Sequence, residues 1–201
     1  MVNNSTIFGN QAGNSIINGG GIASYGDAST FTTLTNSIVV SNVVSGTTTA
    51  ADVSLASAPT DSFTSGGHNL IGAIGPNITA FANGINGDQI GVTNPALGPL
   101  ANNGGATLTH ALLIGSPALD AGDCSSGPAT DQRGVARPQD STCDIGAFES
   151  HAQSGPDLIV NINDDSDDGS CNALVAGVAD CTLREAINAA NALAGDDTIT
   201  F

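Results

Sequence analysis

Through residues 1–93, short apolar runs alternate with polar positions and glycines. Asn4-Ser5-Thr6-Ile7-Phe8-Gly9-Asn10 and Asn36-Ser37-Ile38-Val39-Val40-Ser41-Asn42 align at an offset of 32 residues, with Asn, Ser and Asn in register. A looser third copy runs through Gly66-Gly67-His68-Asn69-Leu70-Ile71-Gly72. Between the first two copies, Gly19-Gly20-Gly21 makes a turn ahead of Ile22, and Thr30-Phe31-Thr32-Thr33-Leu34-Thr35 has the alternation and β-branching of a strand. Short β-rich stretches repeated at a fixed interval predict windings stacked on one another, not a sandwich joined by hairpins. Each winding would pair with those above and below at ~4.8 Å. Inward positions then take Val, Ile, Leu and Phe. Asparagines at equivalent corners can stack as amide ladders, with glycine supplying left-handed turns. The expected fold is all-β, a parallel β-helix (solenoid); a β-sandwich is the bland alternative. An apolar fraction of 40% argues against a disordered linker.

The pattern changes near the C-terminus. Thr182 followed by Glu185 forms a capping box, and Leu183, Ala186, Ile187, Ala190 and Leu193/Ala194 recur at helical spacing before Gly195. Such a helix of about 12 residues would span ~18 Å, roughly the width of a β-helix end. Asp197–Phe201 then resembles a strand. The expected organisation is β-helix coils over 1–93, a closing module over 94–150 and a linker over 151–156. The cap and first strand of a following β-helix occupy 157–201.

Charge narrows the function classes. Three Lys+Arg stand against nineteen Asp+Glu, for a formal net charge of -16. Nothing here neutralises a phosphate backbone or an anionic membrane surface, so nucleic acid and acidic lipid are poor partners. Up to residue 119 there are four Asp (Asp27, Asp52, Asp61, Asp88) and no Lys or Arg; solubility there is expected to rest on Asn, Thr, Ser and Gly. Four cysteines fall as two local pairs, Cys124/Cys143 and Cys171/Cys181. That suits disulfides and an oxidising compartment better than zinc, although four cysteines allow three connectivities. Each such loop would contribute on the order of 3 kcal/mol. No stretch is long and apolar enough to span a bilayer, and no export leader opens the sequence. The chain starts inside a repeat and stops on a strand-like TITF, so an export signal outside these residues is expected.

The coils resemble bacterial right-handed parallel β-helix surface proteins. A more specific match lies in Asn94-Pro95-Ala96-Leu97-Gly98-Pro99-Leu100, Asn103-Gly104-Gly105, Thr109-His110-Ala111-Leu112, Gly115-Ser116-Pro117-Ala118-Leu119-Asp120-Ala121-Gly122, Asp131-Gln132-Arg133-Gly134, Arg137-Pro138 and Cys143-Asp144-Ile145-Gly146-Ala147-Phe148-Glu149. Together these resemble the choice-of-anchor type Q domain, with Asn94 where Asp is expected. The resemblance covers about residues 1–150 and implies a module that ends a β-helix just before a surface-attachment signal. Cys181-Thr182-Leu183-Arg184-Glu185-Ala186 is similar to the CSLREA motif, with Thr182 in the Ser position. The implied protein is secreted or displayed on the cell surface, stalk- or adhesin-like, non-enzymatic, and continued by further β-helix domains, with a glycan or host surface as partner.

Other chemistry is weighed against that expectation. Asp164, Ser166 and Asp168 place oxygens at positions 1, 3 and 5 of a calcium-type loop with Gly169 at 6, but Val175 stands where a bidentate Glu is needed. Calcium is therefore a minority cofactor reading, against a solvated acidic turn tied by Cys171 and Cys181. Asp120, Asp123, Asp131, Asp144 and Glu149 could act as paired carboxylates on polysaccharide. The coils lack the Arg or Lys of a lyase site, and the favoured reading has Arg133 and Arg137 pairing with these acids to pin the Cys124–Cys143 loop. His110, Ser116 and Asp120 supply triad residue types without a nucleophile elbow. His68 and His110 read as hydrogen-bonded structural residues, and His151 as an exposed linker residue.

Overall fold

A computed structural model describes residues 1–13, 19–24, 31–45, 52–56, 62–139, 141–150, 157–165, 167, 171, 181–192 and 196–201. The first strands are β1 (Val2–Asn3), β2 (Thr6–Phe8), β3 (Gln11–Ala12), β4 (Ile22–Ser24), β5 (Thr32–Thr35), β6 (Ile38–Val40) and β7 (Val43–Val44). They are followed by β8 (Val53–Leu55), β9 (Phe63–Ser65), β10 (Leu70–Ile71), β11 (Gln89–Ile90), β12 (Leu97–Ala101) and β13 (Thr109–Leu112). The chain ends with β14 (Asp157–Ile159), α1 (Leu183–Ala192) and β15 (Thr198–Thr200). Among the described residues the protein is mostly β, with one short helix.

Among the described strands up to β11, every pairing is parallel. The sheets run β1-β5-β9, β11-β10-β6-β2, β3-β7 and β4-β8. The register follows the repeat: Val2 pairs with Leu34, Thr6 with Ile38, Gln11 with Val43 and Ile38 with Leu70, each 32 residues on. Thus the looser copy at Gly66–Gly72 is in register with the other two. The next step is short, Leu70 pairing with Gln89. No hairpin joins these strands; the antiparallel pair is β12 with β13, in the module that follows. The Thr30–Thr35 strand is trimmed at its start, with Phe31 57% exposed, and Thr30 lies outside the described residues.

Alternation along each short strand separates two cores. Leu34, Val39, Val53, Phe63, Ile71 and Phe81 pack together with Ile7, Ile22 and Ile90. On the other face of the four-stranded sheet, Ile38, Val40, Leu70 and Phe8 pack against Ala111, Leu112, Ala118, Ile145 and Phe148. β6 is therefore buried on both faces, which is why it is an uninterrupted apolar triplet. The 94–150 segment is the partner on that second face. It runs along the flank of the sheet, from β2, where Ala147 N–H donates to Thr6 Oγ1, to β11, where Gln89 Nε2 donates to Pro117 O. The sheet's second apolar face needed a cover, and this segment supplies it.

At the C-terminus, β14 pairs in parallel with β15. Leu158, Cys171, Cys181, Ala186 and Ala189 form their core, with Ile114 and Ile199 at its edge. The capping box is present in both directions: Thr182 N–H donates to Glu185 Oε2 at 2.7 Å, and Glu185 N–H to Thr182 Oγ1 at 3.2 Å. The expected apolar face needs correction. α1 buries Ala186 and Ala189, whose small side chains let it sit close to the strands, and leaves Leu183 and Ile187 43% and 45% exposed. Leu193, Ala194 and Gly195 lie outside the described residues.

Candidate functional site

The stacking of equivalent positions builds polar ladders that end on buried carboxylates. Asn10 Nδ2 donates to Asn42 Oδ1 at 2.9 Å. Asn42 in turn donates through its backbone N–H and its Nδ2 to Asp52 Oδ1, at 2.7 and 2.8 Å, while Asp52 Oδ2 accepts Ala73 N–H. A second line runs from Ser5 N–H to Ser37 Oγ, from Ser37 N–H to Asn69 Oδ1, and from Asn69 N–H and Nδ2 to Asp88 Oδ1. Asp88 Oδ2 accepts Ser65 Oγ–H at 2.6 Å. Asp52 is 1% exposed and Asp88 2%. Two of the four coil aspartates are therefore internal fasteners rather than surface charge; Asp27 and Asp61 lie outside the described residues. The asparagine ladder is legible in the repeat. Its aspartate terminus is not, because Asp52 joins from 10 residues on within the same winding and Asp88 from the short 19-residue step, positions that the 32-residue period does not mark.

A corner line stands beside these ladders. Asn4, Asn36 and His68 are equivalent positions on successive windings, and all have positive φ (43°, 45° and 55°). Asn tolerates this left-handed conformation because its short amide makes local hydrogen bonds. Residues 121–127 lie along this line. Ala121 O meets His68 Nδ1 at 2.8 Å, Asp123 N–H donates to Asn36 Oδ1 at 2.9 Å, and Asn36 Nδ2 donates to Asp123 O at 2.8 Å. Further up, Asn3 Nδ2 donates to Ser126 O, and Gly127 abuts the Asn4 carboxamide. Both amide atoms of Asn4 are buried with no hydrogen-bond partner.

The charged cluster sits in the same module. Asp131 Oδ2 is 2.7 Å from Arg133 Nη2 and accepts Glu149 N–H, while its Oδ1 accepts Arg133 and Val135 N–H. Arg133 Cζ lies 3.5 Å from the Phe148 ring centroid, a cation–π contact. Arg137 Nη1 meets Glu149 Oε2 at 2.5 Å and also donates to Asp144 O, while Nη2 donates to Gly146 O. Glu149 Oε2 accepts Asp144 N–H, and Oε1 accepts Gln139 N–H. Asp144 has no guanidinium on its carboxylate; it accepts Asp120 N–H and Ser150 N–H. Burial, reinforced by the like charges of Glu149 and Asp120, pushes its pKa up to about 7 against the two amide bonds. Burial raises Glu149 as well, with Arg137 opposing. Partly exposed Asp123 is held below its ordinary value by Ser125 N–H.

These contacts decide what the carboxylates can do. Every carboxylate oxygen of Asp131, Asp144 and Glu149 is taken by a protein donor, and the three residues are 7%, 3% and 1% exposed. A sugar could reach none of them without unfolding the module. The triad types are likewise dispersed: His110 Nδ1 meets Gly98 O, Ser116 Oγ–H donates to Pro95 O, and Asp120 Oδ1 accepts Thr142 N–H.

Both disulfides form as local pairs, Cys124–Cys143 and Cys171–Cys181. In the acidic run, Ser166 and Asp168 lie outside the described residues, as does His151. Neighbouring Asp165 pairs with Arg184 at 2.7 Å on the surface, and that guanidinium holds its carboxyl below the usual range. Among the described residues no cluster of His, Cys, Asp and Glu could hold a metal ion, and no helix is long and apolar enough to cross a membrane. Comparison with protein-family models, curated proteins and solved structures finds no match to this chain.

Proposed function

We propose that the chain is a non-enzymatic structural segment of a secreted or surface-displayed bacterial protein, a stalk- or adhesin-like body. Its parallel sheets are the faces of a right-handed parallel β-helix, and residues 94–150 are a closing module of choice-of-anchor Q type. Residues 157–201 are the start of a CSLREA-type domain. The observation that carries this reading is that the buried carboxylates and the amide ladders are spent on holding windings together. Asp52, Asp88, Asp131, Asp144 and Glu149 are each consumed by internal donors. These five acids act as fasteners; Asp120 and Asp123 stay partly exposed, without a second open carboxylate among the buried ones to pair with. Two disulfides agree with an oxidising, extracellular setting. A glycan-array profile together with a reducing-sugar release assay tests the proposal. Binding without turnover is compatible with an adhesin, whereas release of sugar from any polysaccharide overturns the non-enzymatic role.

A further inference from the structure

We infer that Cys124–Cys143 is a thiol-exchangeable latch on a removable strap, and that Cys171–Cys181 is a permanent crosslink. The two disulfides differ in access. Cys124 is exposed, while Cys143 is 2% exposed and both Cys171 and Cys181 are 0% exposed. A thiolate must reach a sulfur before it can exchange, so one bridge is open to attack in the folded protein and the other is closed.

What the open bridge holds is residues 123–127, which lie along the corners of successive windings. Ala121 packs against the core and buried Gly122 is bridged to Cys143, but beyond them the cross-contacts are polar: Asn36 to Asp123 and Ser126, and Asn3 to Ser126 O. By contrast, the limb carrying Cys143 continues into Ile145 and Phe148, which are core residues. Opening the bridge therefore frees residues 123–127, while Gly122 stays paired with Cys143 and the limb stays in place.

The chemistry balances with a small external thiol. Its thiolate attacks Cys124 Sγ, the S–S bond breaks, and the electron pair leaves on Cys143 Sγ, which takes a proton from solvent. A second thiolate attacks the external sulfur of the mixed disulfide. Cys124 departs as thiolate, and the two small thiols leave as their own disulfide. Buried Cys143 stays beside Cys124, so reclosure competes until the strap moves away. Strap departure and net reduction are thus coupled. Departure uncovers Asn36 and the Asn4 carboxamide, which at present has no partner.

The test uses the full chain at pH 8 with graded glutathione, followed by alkylation, peptide mapping and amide hydrogen exchange. Cys124 and Cys143 should alkylate while Cys171–Cys181 remains bonded, with exchange at 123–127 faster by on the order of ten-fold. Simultaneous opening of both bridges, or no opening short of global unfolding, overturns the inference. So does opening with unchanged exchange at 123–127. The C124S/C143S variant gives an independent reading, since its strap should exchange like that of the reduced protein; full protection there also overturns it. If the variant does not fold, the graded reduction of the unmodified chain decides alone.

Discussion

Arg137 and Glu149 meet at 2.5 Å with side chains only 2% and 1% exposed, so two full charges are held almost entirely out of water. Desolvating them costs several kcal/mol each, which their attraction offsets with the help of further donors and acceptors, although Arg137 Nε stays buried without a partner. Removing one partner strands the other. Arg137→Ala should therefore destabilise the protein by about 3–5 kcal/mol in urea titration. An Arg137→Met/Glu149→Leu double variant should lose less than either single change. Equal loss in the double would mean that the pair contributes packing rather than charge compensation.

Asp144 makes stability depend on pH in an unusual direction. Its folded pKa of about 7 lies above its ordinary 3.8, so the folded state holds a proton that the unfolded chain gives up. Stability is then highest on the acid side and falls as pH rises from about 4 to about 7. The facing groups are Glu149 and Asp120, with Arg137 on the Asp144 carbonyl; Glu149, also raised, adds to the same slope. Thermal melts across that window should show Tm falling with pH, and Asp144→Asn should flatten the trend.

Asn4 and Asn36 occupy the same corner on successive windings with the same left-handed backbone, yet only Asn36 uses its amide. Glycine adopts that backbone freely, so Asn→Gly removes the side chain without straining the turn. Asn36→Gly should cost roughly 2 kcal/mol more than Asn4→Gly by chemical denaturation. Equal costs would argue that the segment 121–127 does not rest on Asn36 in solution.

Asp52 ends its ladder with three internal donors on one carboxylate. Asp52→Ala leaves buried N–H groups without acceptors, at about 1–3 kcal/mol for each. Loss of most of the thermal stability is the expected result. Thr64→Ala, at an exposed position on β9, should stay within about 0.5 kcal/mol of the parent.

Thr182→Ala removes the acceptor for Glu185 N–H and should weaken α1 by about 1 kcal/mol. Faster exchange should be confined to α1 and its neighbours. Protection at β6 should be unchanged, because β6 draws on other cores.

The repeat from Asn4 to Asn42, the capping box and the local cysteine pairs were legible in the sequence because each is a short-range rule. A period fixes which residues meet in a parallel stack, and a helix start is decided within four positions. Chain order could not show which face of β6 needed covering, and so could not place residues 94–150 along the flank. Nor could it reveal that Asp52 and Asp88 are buried, since an aspartate in a turn looks the same whether it faces water or an amide ladder. The exposure of Leu183 and Ile187 is of the same kind, because helical spacing allows several faces and the packing of Ala186 and Ala189 chose one. Register belongs to the sequence. Burial, which depends on what else arrives at a surface, was decided by the folded chain.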